Sequence, residues 1–378
     1  MGGRFIFWDP AITHKWGVSA IEKIPFSPEE LEVVSRFDSY RTKGLPLFRS
    51  PVSVRENYLA CLRGEPALWL PMGTDAIRTL PKQLPDNAPR GVPLAGLPGK
   101  PEGYAATHDM FGVEWEFEPE IGGATVRPGK PRLRTMEGWK DELVWPDPDN
   151  WEWEANAAAV RQVQDGRVQQ TTIFNGYFER LISLLDFENA LLALVDEDEQ
   201  PHVHSFFDKL TDTYIRIAEL MDQYYDIDVI ELHDDWGSQR APLFSPAVVR
   251  EMILPHLKRF VSRVHGLGMC FELHSCGCNA ALVPLMIEAG ADLWQPQENA
   301  NDTEEIYRNY GQQITIGVAC PLGPNADAEE IDAWLRVLLK RCPRSGARLP
   351  VLNDKVGGAL LRTRAYELSR RYLTGGEI

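Results

Sequence analysis

Val229-Ile-Glu-Leu-His-Asp-Asp235 and Met269-Cys-Phe-Glu-Leu-His-Ser-Cys276 are the two stretches whose reading decides the fold. Both read as strands, and in a strand successive side chains alternate between faces. Glu231, His233 and Asp235 therefore share one face, as do Glu272, His274 and Cys276, while Phe271 and Leu273 point the other way. A protein interior does not accept so many polar groups unless they are paired or bind something. A His-x-Cys pair at the C-terminal end of a strand offers one nitrogen and one sulfur to a single metal ion. The pattern predicts an active site here.

Outward from these stretches the chain keeps a rhythm. Gln169–Phe174 reads as a strand and is followed by helical patterns at Tyr177–Leu194 and His204–Tyr225. The helix after Asp228–Asp234 opens with Ser245 as N-cap and Pro246 at the first position, and closes at Gly266. Strand Cys270–Cys276 precedes helix Ala280–Ala289, and strand Leu293–Pro296 precedes helix Thr303–Tyr310. Strand Ile314–Cys320 leads to a helix after Asp327, where Glu330 closes a capping box. Strand Val351–Asn353 and a last helix near Gly358–Tyr372 complete the series. Short apolar strands alternating with amphipathic helices predict a parallel sheet in an α/β fold. A TIM-type (β/α)8 barrel is the expected closure, with Leu68–Pro71 and Val113–Phe117 as its seventh and eighth strands. An open doubly wound sheet is the second choice, but no G-x-G-x-x-G turn supports it.

The chain changes character near residue 165. Residues 1–165 form an aromatic- and Pro-rich N-terminal region expected to supply the first barrel elements and a lid, and residues 166–378 the main part of the barrel. Pro81–Pro101 holds six prolines and three glycines and reads as a segment that covers the barrel mouth with Trp115 and Trp139. The plainer reading of the aromatics is core.

Active sites of such barrels lie at the C-terminal ends of the strands. Polar residues gather there on five consecutive strands: His233, Asp234 and Asp235; His274, Cys276 and Cys278; Gln295 and Gln297; Cys320; and Asn353 with Asp354. His233, Asp234 and Asp235 are the candidates for moving a proton. Gln239, Gln295 and Trp115 are the candidates for holding substrate. Each has a structural alternative: capping for the aspartates, a satisfied core pair with Glu231 for His233, and simple packing for Cys320.

Bulk properties narrow the class. The 378 residues are 44% hydrophobic and 25% charged, enough for a large core. A formal charge of −16 argues against nucleic-acid and anionic-membrane partners. Six cysteines, three of them at Cys270, Cys276 and Cys278, suit reduced thiols and metal binding rather than a disulfide framework. Neither a signal peptide nor a run of about 18 apolar residues is visible. A cytoplasmic location is expected.

The sequence resembles the uroporphyrinogen decarboxylase superfamily. The resemblance rests on Asp234-Asp-Trp-Gly-Ser-Gln239, Ser245-Pro246, Pro255, Leu273-His-Ser-Cys-Gly277, Glu288-Ala-Gly-Ala-Asp292 and Gln295-Pro-Gln297. A weaker echo lies at Glu56-Asn-Tyr-Leu-Ala-Cys-Leu-Arg-Gly-Glu-Pro66. The Arg-rich N-terminal signature of the true decarboxylases is missing, since Arg41, Arg49, Arg55 and Arg63 do not form it. The resemblance therefore implies the corrinoid-dependent methyltransferase branch. Its thiol-alkylating members hold zinc through a His-x-Cys pair, matched by His274 and Cys276, and a second cysteine near the last strand. This chain has Asn353 and Asp354 there, so Cys320, Asp354 or Glu231 is left as third ligand. What the resemblance implies is a zinc-assisted methyltransferase acting between a small methylated compound and cobalamin on a separate corrinoid protein. A methoxylated aromatic (O-demethylation), methanol or a methylamine would suit. A metal-free decarboxylase or lyase is the alternative, and a non-catalytic small-molecule or corrinoid-handling protein a third reading.

Overall fold

A computed structural model describes residues 24–39, 42–81, 83–87, 107–118, 123–126, 129–162, 165–353 and 358–378. Two short strands, β1 (Val33–Phe37) and β2 (Leu45–Phe48), pair antiparallel. Strand β3 (Ala76–Arg78) begins the main sheet. Strands β4 (Thr107–His108), β5 (Glu114–Glu118) and β6 (Gly123–Val126) form a separate three-stranded antiparallel sheet. The main sheet continues with β7 (Val168–Ile173), β8 (Val229–His233), β9 (Cys270–Ser275), β10 (Leu293–Pro296), β11 (Thr315–Ala319) and β12 (Val351–Asn353). Its seven strands lie in the order β12-β11-β10-β9-β8-β7-β3, all parallel. A parallel bridge from Met72 to Leu352 and a 2.8 Å hydrogen bond from Leu352 N–H to Pro71 C=O join its two edges. The result is a TIM-like α/β fold.

Two expectations are corrected. The seventh stave is Ala76–Arg78, one short turn after Leu68–Pro71, and that earlier segment supplies only the bridging contact. Glu114–Glu118 lies outside the barrel, paired with β4 and β6. Its alternation of acid and aromatic suits a two-faced antiparallel strand, whereas a barrel stave is buried on both sides. Strand β7 is such a stave, with every residue buried.

Residues 79–167 are an insertion between the first two staves, leaving the C-terminal end of β3 and returning to the start of β7. The described part is tied down at the mouth of the barrel. Asp86 accepts from Asn175 Nδ2 at 2.7 Å, just past the end of β7, and pairs with Arg180 at 2.5 Å; Asp109 pairs with Arg180 at 2.9 Å. Most of Pro81–Pro101 lies outside the described residues.

The helix after β8 starts at Ser245, whose Oγ caps Val248 N–H, and widens to a π turn over Val249–Ile253 before Leu254–Gly266 continues as α. Pro255 explains the widening: it has no N–H, and its ring pushes away the carbonyl one turn earlier. The long helix Gln200–Tyr225 packs on this one, with Tyr214 against Phe260.

Candidate active site at the strand ends of β8 and β9

Parallel register fixes the site. Glu231 is opposite Glu272 and His233 opposite His274, so equivalent side chains of β8 and β9 enter the barrel at the same height. The two imidazoles stack at 4.5 Å and 29°. Asp235 follows two residues after His233, and Asp235, His233 and His274 each place a ligand atom within 4.8 Å of the others. Cys276 Sγ is 3.2 Å from His274 Nε2 and lies beside this trio.

Hydrogen bonds set which nitrogen of each ring carries the proton. Glu179 Oε2 is 2.8 Å from His233 Nδ1, and Gln295 Oε1 is 2.8 Å from His274 Nδ1. Both oxygens accept, so each ring donates from Nδ1 and keeps its lone pair on Nε2. Burial first, and the neighbouring His233 second, push the His274 pKa down, against the pull of Asp235 and Glu231. A neutral imidazole is the form that binds a metal or takes up a proton.

Beneath the rings the barrel is polar. Gln170 Nε2 donates to Glu272 at 2.7 Å and to Glu231 at 3.3 Å, Thr172 Oγ1 donates to Glu231 at 3.1 Å, and Arg78 pairs with Glu231. Burial alone raises a carboxyl pKa, but Arg78 and the two imidazoles outweigh it and hold Glu231 below the usual range. For Glu272 burial and the adjacent Glu231 charge act together and raise its pKa far above that range. The two neighbouring carboxyls of the floor are thus shifted in opposite directions.

Two loops clamp the rim. Gly277 has φ +88°, and a Cβ there would lie 2.1 Å from the Gly237 carbonyl carbon, so only glycine permits the crossing. Gly237 N–H donates to Cys276 C=O at 3.1 Å and Cys278 N–H to Ser238 C=O at 2.7 Å. Cys276 N–H donates to Asp235 Oδ1 at 2.6 Å and orients that carboxylate.

The remaining predicted residues occupy distinct places. Asp234 is fully buried and accepts from Phe178 N–H at 3.2 Å, Glu179 N–H at 2.9 Å and Trp236 Nε1 at 2.8 Å. It holds the first turn of helix Tyr177–Leu185 and so places Glu179; burial, then the Glu179 charge, push its pKa up to about 7. Gln239 is exposed and donates to Gln297 Oε1 at 3.0 Å. Trp115 is buried, its indole N–H 3.1 Å from Asp109 Oδ2. Cys320 lines a cavity of about 650 Å³ with Glu298, Glu304, Arg308, Arg341 and Asn353, to which none of the trio contributes. Glu231 lies in the floor, and Asp354 lies outside the described residues. Sequence reasoning missed Glu179 and Arg78. The carboxylate that holds His233 is Glu179, not Glu231, and its one local signal is its place in the first turn of a helix leaving a strand end.

Residues 106–360 match the uroporphyrinogen decarboxylase (URO-D) family, and the chain belongs to that family. Among solved structures it is similar to a methyltransferase from Methanosarcina mazei, 17% identical, with a TM-score of 0.57 over 85% of this chain and 98% of that one. At that identity the likeness establishes the fold. A sugar phosphate isomerase/epimerase from Parabacteroides distasonis is 10% identical over 55% of this chain and 78% of its own, at a TM-score of 0.31. A dihydropteroate synthase from Coxiella burnetii is 13% identical over 40% and 56%, at 0.27. No curated protein matches the sequence. No helix among the described residues is long and apolar enough to cross a membrane.

Proposed function

We propose that the protein is a metal-assisted methyltransferase, moving a methyl group between a small methylated compound and the cobalt of cobalamin carried by a separate corrinoid protein. The observation that carries this reading is the convergence of His233, Asp235 and His274, with Cys276 beside them, at the mouth of a URO-D-type barrel. Two imidazoles, a carboxylate and a thiol form a donor set that zinc accepts. When bound, zinc acts as a Lewis acid that makes an alkoxide or phenoxide a competent leaving group. Glu179 and Gln295 hold the two rings at Nδ1, and the Cys276 N–H holds Asp235 toward the same space. Gln239 and Gln297, linked across the rim, offer amide groups to a substrate oxygen. Asp234 serves by fixing the turn that carries Glu179.

A methoxylated aromatic, methanol or a methylamine fits as the methyl donor. The metal-free decarboxylase reading is the weaker one, because a polycarboxylate tetrapyrrole needs several converging arginines, and Arg78, the guanidinium at the floor, is committed to Glu231. Incubation of the zinc-loaded protein with cob(I)alamin and a panel of methylated compounds, followed by mass spectrometry of the demethylated product, tests the proposal. Methyl transfer from at least one donor is expected; carbon dioxide release from a carboxylated substrate without methyl transfer contradicts it.

A further inference from the structure

We infer that the methyl donor carries a carboxylate, and that Arg240 and Gln297 on the rim of the barrel receive it. The inference rests on the methyl-transfer reading above and narrows the donor named there.

The turn after β8 is built to hold its tip in place. Leu243 N–H donates to Trp236 C=O at 2.7 Å, Gly237 bridges to Pro242, and Ser238 N–H donates to Ala241 C=O at 2.8 Å. Ser238 Oγ donates to the same carbonyl at 2.8 Å and accepts from Ala241 N–H at 3.1 Å. Gln239 and Arg240 form the tip, and both are exposed. Gly237 and Ser238 fasten the turn to Cys276 and Cys278 in the loop after β9, and the Gln239–Gln297 bond fastens it to the loop after β10. The tip therefore belongs to the rim that carries Asp235 and Cys276.

Open hydrogen-bond groups on this rim set the chemistry of a ligand. Gln297 Oε1 accepts from Gly277 N–H at 2.8 Å and from Gln239 Nε2 at 3.0 Å. A backbone N–H only donates, so the amide oxygen must face it, and Gln297 Nε2 is the end left over. The Arg240 backbone N–H bonds to Ser238 Oγ, whereas its guanidinium has no acceptor among the described residues. The rim thus offers several open N–H groups against the one open oxygen of Gln239. A group that only accepts and carries negative charge answers that set, and a carboxylate meets a guanidinium through two parallel hydrogen bonds. A chain of net charge −16 repels anions, so an uncommitted arginine beside the site favours the entry of one. Methanol has nothing to place there, and Arg240 would repel methylammonium. A methoxylated aromatic acid brings a methyl ether for the metal end and one carboxylate for the one guanidinium.

The test compares two donors of one shape, meta-methoxybenzoate and meta-methoxybenzamide, using zinc-loaded full-length protein and cob(I)alamin. Expected is a kcat/KM about 10–100-fold higher for the carboxylate, carried mostly by KM. That ratio should fall toward one in Arg240→Gln and in Gln297→Glu, which keeps an oxygen for Gly277 N–H. Arg240→Lys should keep part of it, and melting curves report folding. Equal efficiency with both donors in the parent, a preference for methanol or methylamine, or an unchanged ratio in folded Arg240→Gln overturns the inference and leaves methyl transfer standing. Calorimetric titration of the same pair without cobalamin separates the two claims. Tighter carboxylate binding that is lost in Arg240→Gln, without transfer from any donor, supports the carboxylate site and overturns methyl transfer. Neither transfer nor carboxylate binding removes both.

Discussion

His233 and His274 stack at 4.5 Å because they occupy paired positions of two neighbouring parallel strands, and each is gripped at Nδ1 from a different side. Glu179 comes from the helix after β7 and Gln295 from β10, so four adjacent strand ends cooperate to orient two rings. The site is therefore a property of four neighbouring strands and not of either motif alone.

Replacing Glu179 tests that grip. In Glu179→Gln an amide can turn either end toward His233, so the ring is no longer locked with its proton on Nδ1. Zinc affinity is expected to fall about 10–100-fold, as for other outer partners of metal-binding histidines. The thermal midpoint should move little, since Glu179 keeps its backbone bond to Asp234. Competition titration against a chelator dye measures this; unchanged affinity would show that Glu179 does not set the tautomer.

The rim depends on one glycine pair. Gly277→Ala must accommodate both a φ of +88° and a Cβ 2.1 Å from the Gly237 backbone, so the loops carrying Asp235 and Cys276 must part. A stability loss of more than about 1 kcal/mol is expected, with lowered zinc content. Denaturant unfolding and metal analysis of the same sample read both effects, and a variant with wild-type values would show that the loop crossing is dispensable.

The insertion is held to the mouth by a buried charge hub. Arg180, Asp86 and Asp109 are all buried, and Arg180 directly follows Glu179. Arg180→Met leaves two carboxylates without their shared cation and should cost about 3–5 kcal/mol. Proteolysis should then begin within residues 79–118, and metal binding should weaken as Glu179 loosens. A variant that resists protease as the parent does would contradict the strut role.

Acid should weaken the protein through a buried histidine of the helix Leu254–Gly266. Burial pushes His256 down to about 4 despite the pull of Asp208, and its Nε2 lies 3.0 Å from His204 Nδ1. A histidine of the unfolded chain titrates near 6.5. Between those values the unfolded state binds more protons, so stability is present above about 6.5 and is lost as pH falls toward about 4. His256→Leu should flatten the melting temperature over that window; an unaltered slope would remove His256 from the account.

Much of the frame was legible in the sequence. The alternation from Gln169 onward marks β7 to β12, and period-two reading of β8 and β9 puts Glu231 and His233 on one face and Glu272 and His274 on another, which the register brings side by side. Three features were hidden. Ala76–Arg78 is too short to show a period, and Arg78 meets Glu231 across 153 residues. Glu179 reads as an ordinary acid in a helix first turn until β7 and β8 are placed side by side, 54 residues from His233. Asp234 and Asp235 look alike as neighbours, yet one caps a helix inside the protein and the other faces the mouth, because successive residues leaving a strand point to opposite sides.

The central claim is that this barrel transfers methyl groups with the help of a metal at His233, Asp235 and His274. Its most direct test follows the absorbance change from cob(I)alamin to methylcobalamin with a productive methyl donor, comparing zinc-loaded, chelated and re-loaded protein. The account predicts turnover in the first, none in the second, and recovery in the third. Equal rates in the chelated and loaded forms, or no methylcobalamin with any methoxylated aromatic, methanol or methylamine, would contradict it.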